Sequence, residues 1–220
     1  METRWRFVLF SILVALAAVP LIMRAAWAYE YPLTSSSIRE ASLLASEQDN
    51  NQAETLKKYA HPLGAPKSGP HISLITAETP FLQIAEFAGL HPNFSSQDIV
   101  AQFLNKPLAF RAKIEIEFTP SYPAMIYSQG ALHYRPEDFW QNYRYTLTQN
   151  DKTIEQQSAQ AWPLTLYSDA GNGSSSETIT GEQVSIECDP AKIVSAPLTV
   201  VVDTPDGQHV ETTFDLTKMK

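Results

Sequence analysis

From Leu108 to Thr119 the chain alternates with a period of two. The even positions are Leu, Phe, Ala, Ile, Ile and Phe; the odd positions are Ala, Arg, Lys, Glu, Glu and Thr. Successive side chains of a strand point to opposite faces, so this stretch reads as a strand with one face in a core and one in water. A helix would scatter the same apolar residues around its whole circumference. The chain must therefore build a sheet that is dry on one side, and something apolar must cover that side.

Similar segments recur at roughly 124–134, 139–148, 152–157, 162–168, 177–188, 197–203 and 208–217. Asn150-Asp151 and Thr204-Pro-Asp-Gly207 supply hairpin and turn chemistry between them. In the last segment Val210, Thr212, Phe214 and Leu216 point one way, while His209, Glu211, Thr213 and Asp215 point the other. Seven or eight short strands joined by turns predict a mainly β chain of α+β class, built as an antiparallel immunoglobulin-like β-sandwich over residues 107–220 and preceded by short helices. Cys188 is the only cysteine, so the intersheet disulfide of antibody domains is absent and only the architecture is expected. It sits on the apolar side of Val184-Ser185-Ile186-Glu187-Cys188, where a small buried hydrophobe is the economical reading.

Residues 1–28 read as an address. Arg4 and Arg6 precede the uncharged run Phe7 to Met23, and Ala26-Trp27-Ala28 follows. A basic head, an apolar core and a small-x-small exit is the layout of a bacterial-type export signal. The run covers 17 residues, between the roughly 7–15 of a cleaved signal and the roughly 20 of a comfortable membrane span. Pro20 late in the run and Arg24 after it, with the small residues Ala26 and Ala28, favour cleavage between Ala28 and Tyr29. Arg24 beside the exit and the length of the run leave an uncleaved signal anchor open, with residues 7–23 as the sole membrane contact. Either way the expected location is extracytoplasmic, periplasmic or secreted. The chain holds 16 basic and 24 acidic residues; Arg4, Arg6, Arg24 and Glu2 lie in this segment, which leaves 13 and 23 and a net charge of −10. That acidic balance disfavours nucleic acid and anionic lipid as partners.

Residues 29–60 predict a helical neck. Ser37-x-x-Glu40 has capping-box spacing, Ile38, Ala41, Leu44 and Ala45 share a face, and Gln48 to Asn51 weaken the middle. Residues 61–73 carry the Pro- and Gly-rich run His61 to Pro70 and read as a linker. Residues 74–106 hold two short packing helices. The first is capped by Thr79 and Pro80, with Gly89 as its stop; the second starts at Ser95 or Ser96 and ends before Pro107. The segment Ser37 to Glu47, with Ser68-Gly-Pro-His-Ile-Ser73 and Thr79-Pro-Phe-Leu, resembles exported bacterial proteins of unknown function. The resemblance implies export and an unassigned role, and carries no functional residues with it.

No cofactor or catalytic signature is found. His61, His71, His91, His133 and His209 do not pair at metal-ligand spacing, and His61 and His71 read as surface residues beside the linker. Gly171 to Glu177 lacks the Gly two residues after a nucleophilic Ser and the Gly-Lys-Ser/Thr ending of a phosphate loop, so it reads as a hairpin tip. Asp203 and Asp206 bracket a turn that the turn propensity of Asp explains without calcium. Glu115 and Glu117 fall on the wet face beside Arg111 and Lys113 as an ion-pair ladder, and no buried carboxyl is indicated.

Aromatics crowd the stretch Phe118 to Tyr145. Phe139, Tyr143, Tyr145 and Leu147 share one strand face there, leaving Trp140 on the other with Asn142 and Arg144. An exposed patch around Tyr127, Tyr134 and Trp140 is the candidate binding surface, with burial of Trp140 in a second core layer as the competing reading. The expectation is a non-catalytic extracytoplasmic binding or interaction protein that meets a protein partner or envelope component without cofactor. The alternatives are a membrane-anchored envelope scaffold subunit, a carbohydrate-binding module, or a secreted hydrolase whose site converges from distant residues. Intact mass separates the first alternative: export should remove residues 1–28 and leave Tyr29 first, whereas an unchanged mass means a retained anchor.

Overall fold

The structure, a computed structural model, describes residues 28–46, 55–169 and 175–220. The export segment 1–27, Gln48 to Asn51 with Ala53, and the tip Gly171 to Ser174 lie outside the described residues. The chain is α+β and mainly antiparallel, and its described residues include the helices α1 Ser35–Ser46, α2 Pro80–Leu90 and α3 Ser96–Phe103. One five-stranded sheet runs in the order β1 Ala60–Pro62, β2 His71–Glu78, β3 Phe110–Glu117, β9 Ser175–Cys188, β8 Gln156–Asp169. A four-stranded sheet runs β11 His209–Asp215, β10 Pro197–Asp203, β6 Arg144–Gln149, β7 Lys152–Thr153, and a separate hairpin pairs β4 Met125–Ser128 with β5 Ala131–Tyr134.

The alternating stretch forms β3 and buries the face its pattern chose. Phe110, Ala112, Ile114 and Ile116 are all fully buried. Val184, Ile186 and Cys188 of β9 continue that face, and Leu147, Leu198, Val200, Val202 and Phe214 of the four-stranded sheet join it in one apolar cluster. Fully burying an aliphatic side chain of this size contributes about 1.5–3 kcal/mol, so this face outweighs any single surface contact. Cys188 is one of its members, and burial pushes its thiol up to about 11. The wet face pairs across strands rather than along β3. Lys113 Nζ lies 2.6 Å from Glu78 Oε1, Arg111 Nε 2.9 Å from Glu187 Oε1, and Gln183 donates to Glu115 at 3.1 Å.

Several expectations need correction. Residues 60–62 and 71–78 are strands, where the reading had linker and then helices. A bulge between Ile72 and Leu74 breaks the alternation of β2 and hides its period. His61 and His71 are consequently half-buried on these strands: the His61 ring lies 4.6 Å from Phe214, and His71 Nε2 sits 3.0 Å from the Leu63 carbonyl. Helix α1 begins at Ser35, and its cap is Thr34 Oγ1, which accepts from Ser37 N at 3.2 Å; Glu40 pairs instead with Lys220. The helix is packed rather than extended as a neck, because Ile38 and Ala41 share a second small core with Phe81, Ile84, Ala88, Ile99 and Phe103. Helix α2 runs through Gly89 to Leu90, where His91 ends it by stacking on Phe87 at 4.0 Å. Residues 139–142 form a 3-10 turn, so the strand begins only at Arg144.

The turns follow their chemistry. Asn150 and Asp151 both take positive φ in a two-residue connection from β6 to β7, as do Gln129 and Gly130 between β4 and β5. Gly181 serves a different purpose. It lies where β9 leaves β3, and a Cβ there would stand 2.0 Å from the Ile116 carbonyl oxygen. The bulge beside it, between Leu164 and Thr165, turns the Thr180 carbonyl to accept from Phe118 N at 2.8 Å. Beyond this point β8 and β9 continue as a two-stranded ribbon. Gly181→Ala should therefore cost about 1–3 kcal/mol of stability in a urea or thermal melt, as overpacking against backbone does; an unchanged melt would contradict the close approach.

Candidate functional site

The ribbon, the end of β3 and the segment 118–139 enclose a groove of about 560 Å³, within the range of small-ligand sites. Phe118 and Phe139 form one wall, Ala161 and Pro163 of β8 with Ile179 of the ribbon another, and Tyr134 with Arg135 the rim. Glu137 and Glu182 supply carboxylates. Local sequence explains each position. Even positions of β9 face inward, and Glu182 lies two residues before Val184 on that parity, just where the apolar supply ends. Pro136 starts a turn, closed by Phe139 N donating to its carbonyl, that drops Phe139 into the core 5.4 Å from Phe118.

Arg135 ties the hairpin to the body. Its guanidinium lies 3.5 Å from the centre of the Tyr122 ring and 5.8 Å from that of Phe139. Its Nε and Nη2 donate to the Pro123 carbonyl at 3.2 and 3.1 Å. Its face and two of its donors are thus engaged on its own segment, and no ion pair joins it to Glu182 among the described residues. Glu182 is 7% exposed, and its Oε2 has no hydrogen-bond partner there. Burial, then the Glu137 and Asp138 carboxylates, push it up to about 7. A lone buried carboxyl oxygen is uncommon in folded chains because it carries an uncompensated desolvation cost.

Of the residues picked from sequence, two come together and one does not. The β4–β5 register sets Met125 opposite Tyr134 and Tyr127 opposite Leu132, so these four share one hairpin face. Tyr127 is 75% and Tyr134 72% exposed, with Leu132 and Met125 also open to solvent. Trp140 is half-buried against the main core, its carbonyl accepting from Tyr145 Oη at 2.9 Å, and belongs to neither the hairpin face nor the groove lining. The sequence reading found no buried carboxyl, yet Glu182 and Glu78 are both buried. Carrying the alternation of residues 184–188 two positions back would have found Glu182. Glu78 Oε2 likewise lacks a hydrogen-bond partner, but Glu78 differs in having Lys113 at 2.6 Å and Arg111 at 3.6 Å as counter-charges, and reads as part of the ion network under α2.

At the other end of the described chain, Tyr29 is buried. Its N–H donates to the Leu216 carbonyl at 2.9 Å, its hydroxyl donates to the Pro190 carbonyl at 3.0 Å, and its ring meets Phe110. The bond between Ala28 and Tyr29 therefore adjoins the core, and a peptidase would have to cut it before folding. Among the described residues no three His, Cys, Asp or Glu side chains gather in a way that could hold a metal ion, and no helix is long and apolar enough to cross a membrane. No protein-family model matches the chain, and no curated protein matches it significantly.

The Glu182 environment has a pH signature. A carboxyl raised in the folded state contributes fully only while protonated; that contribution is complete below the ordinary carboxylate range and lost as pH rises through about 7. Glu182→Gln keeps the shape and removes the titration. The variant should melt with the wild type near about pH 4 and a few degrees above it near about pH 8. A gap that fails to widen with pH would contradict the burial.

Proposed function

We propose that this chain is a non-catalytic extracytoplasmic binding protein that recognises a protein partner through the β4–β5 hairpin and the groove beside it. One observation carries the reading: Met125, Tyr127, Leu132 and Tyr134 present one exposed apolar face on a hairpin that pairs with neither larger sheet. A two-stranded hairpin is marginal in water by itself, and its apolar face gains nothing from solvent. Apolar side chains clustered on such an element favour an interaction role over a packing role. Aromatic residues that end in a hydroxyl suit a surface that is wet when free and dry when bound.

Two further proposals complete the picture. The β strands form an immunoglobulin-like sandwich; support comes from two antiparallel sheets that contribute their inner faces to one apolar cluster. The domain works outside the cytoplasm, delivered by the residue 1–28 segment; the basic, apolar, small-x-small order supports that address.

A photo-activated phenylalanine analogue at Tyr127 or Tyr134, introduced in the native host, tests the interaction. Both positions should give the same discrete adduct, identifiable by mass spectrometry, while the exposed Lys152 position on the other sheet gives none. In the Tyr127→Ser/Tyr134→Ser background, a probe placed at Leu132 should lose the adduct with no loss of melting temperature. Adducts of equal yield at Lys152, or none at the hairpin, would overturn the reading.

A further inference from the structure

We propose that the groove behind the hairpin binds an alkylammonium group, the head of a lysine side chain brought by the protein partner, seated against Glu182. This rests on the partner-binding reading above and names the chemistry of the contact. Glu182 is more than nine-tenths buried and lines the groove, and one of its oxygens lacks a hydrogen-bond partner. Such an oxygen is completed by a donor from outside. Glu137 and Asp138 lie close enough to add their field, so the groove repels anions and holds a cation more strongly. The one cation at the rim, Arg135, is already stacked on Tyr122 and bonded to the Pro123 carbonyl.

The walls suit the rest of a lysine. Phe118, Phe139 and Tyr134 line the groove with aromatic rings, and Pro163 and Ile179 with apolar surface for a methylene stem. An ammonium brings its donors to one point, which matches the single unpaired oxygen of Glu182, whereas the planar fork of an arginine reaches for both oxygens of a carboxylate at once. The exposed hairpin face shares Tyr134 with the groove, so a chain lying on the hairpin can drop one side chain inward. The net charge of −8 draws basic partners at long range.

Charge on Glu182 should govern the contact. The groups facing it are Glu137 and Asp138 on the turn, Tyr145 on β6 and Arg135 at the end of β5. Protonation of Glu182 as pH falls through about 7 removes the counter-charge, so affinity should fall with it.

The test is a titration of the full domain, followed by calorimetry and by amide chemical shifts, with three probes. They are acetyl-Leu-Lys-Leu-amide, its norleucine isostere, and n-butylammonium. The lysine peptide should bind with shifts clustered at Phe118, Ile179 and Glu182, at least about tenfold more tightly than the norleucine peptide. Glu182→Gln should abolish that tenfold preference, the lysine peptide then binding no more tightly than the norleucine peptide. The lysine peptide exceeding n-butylammonium supports a partner side chain; equal binding of the two keeps the ammonium chemistry but assigns it to a free amine and overturns the partner source. Equal binding of lysine and norleucine peptides, or no binding of any probe, overturns the inference. A positive hairpin cross-link beside such a result would leave the partner-binding reading standing, so the two failures are distinguishable.

Discussion

The burial of one face of the β3–β9 pair holds the rest of the molecule in place. Phe110, Ala112, Ile114 and Ile116 on one strand, and Val184, Ile186 and Cys188 on its neighbour, form a continuous apolar surface without a polar interruption. The four-stranded sheet covers it with Leu147, Leu198, Val200, Val202 and Phe214. Tyr29 closes one edge of this core from the start of the described chain, and Met219 and Leu216 belong to it from the other end. The Arg111–Glu187 ion pair on the outer face of β3 is added to this surface and does not define it, since surface pairs contribute about 0–1 kcal/mol each.

The groove arises where that surface stops. Strand parity continues inward past Val184, but the next inward residue is Glu182, and the one between it and the bulge is Gly181. Glycine lets β9 press against Ile116, the bulge releases β8 and β9 from the sheet, and the ribbon leaves a gap beside Phe118 and Phe139. Arg135 then fixes the hairpin across that gap by stacking on Tyr122. A carboxyl is thereby kept inside a mostly apolar wall with one oxygen unpaired. In a domain selected for stability alone, a neutral residue at this position would remove the cost. The proposed ammonium contact gives that cost a use.

Much of this architecture was legible in residue order. The period of β3, the inward cysteine, the Asn150-Asp151 turn and the Thr79-Pro80 helix start all follow from local rules that the fold does not override. The misses on the strands come from local irregularities that shift a period, whereas the packing of α1 depends on a distant partner surface. The bulge at Ser73 made β2 look like linker, and the 3-10 turn at Phe139 shifted the start of β6. The candidate site was only half visible. Tyr127 and Tyr134 could be named because aromatic residues crowd the stretch Phe118 to Tyr145, but residues 124–134 read as one strand segment, and their sharing a face depends on the register of the hairpin it forms. Glu182 was readable by parity; its lack of a partner was not, because that depends on where Arg135 and Glu137 come to rest.

The chemistry of the groove depends most on Glu182 being a buried carboxyl with an unpaired oxygen. Carbon-13 labelling of the glutamate side chains and titration of the Glu182 carboxyl resonance, assigned with the Glu182→Gln variant, measures that state directly. A midpoint near about 7 is the expected result. A midpoint in the ordinary glutamate range, at about 4.3, would mean that Glu182 is solvated or paired, and would contradict both the burial and the ligand chemistry drawn from it.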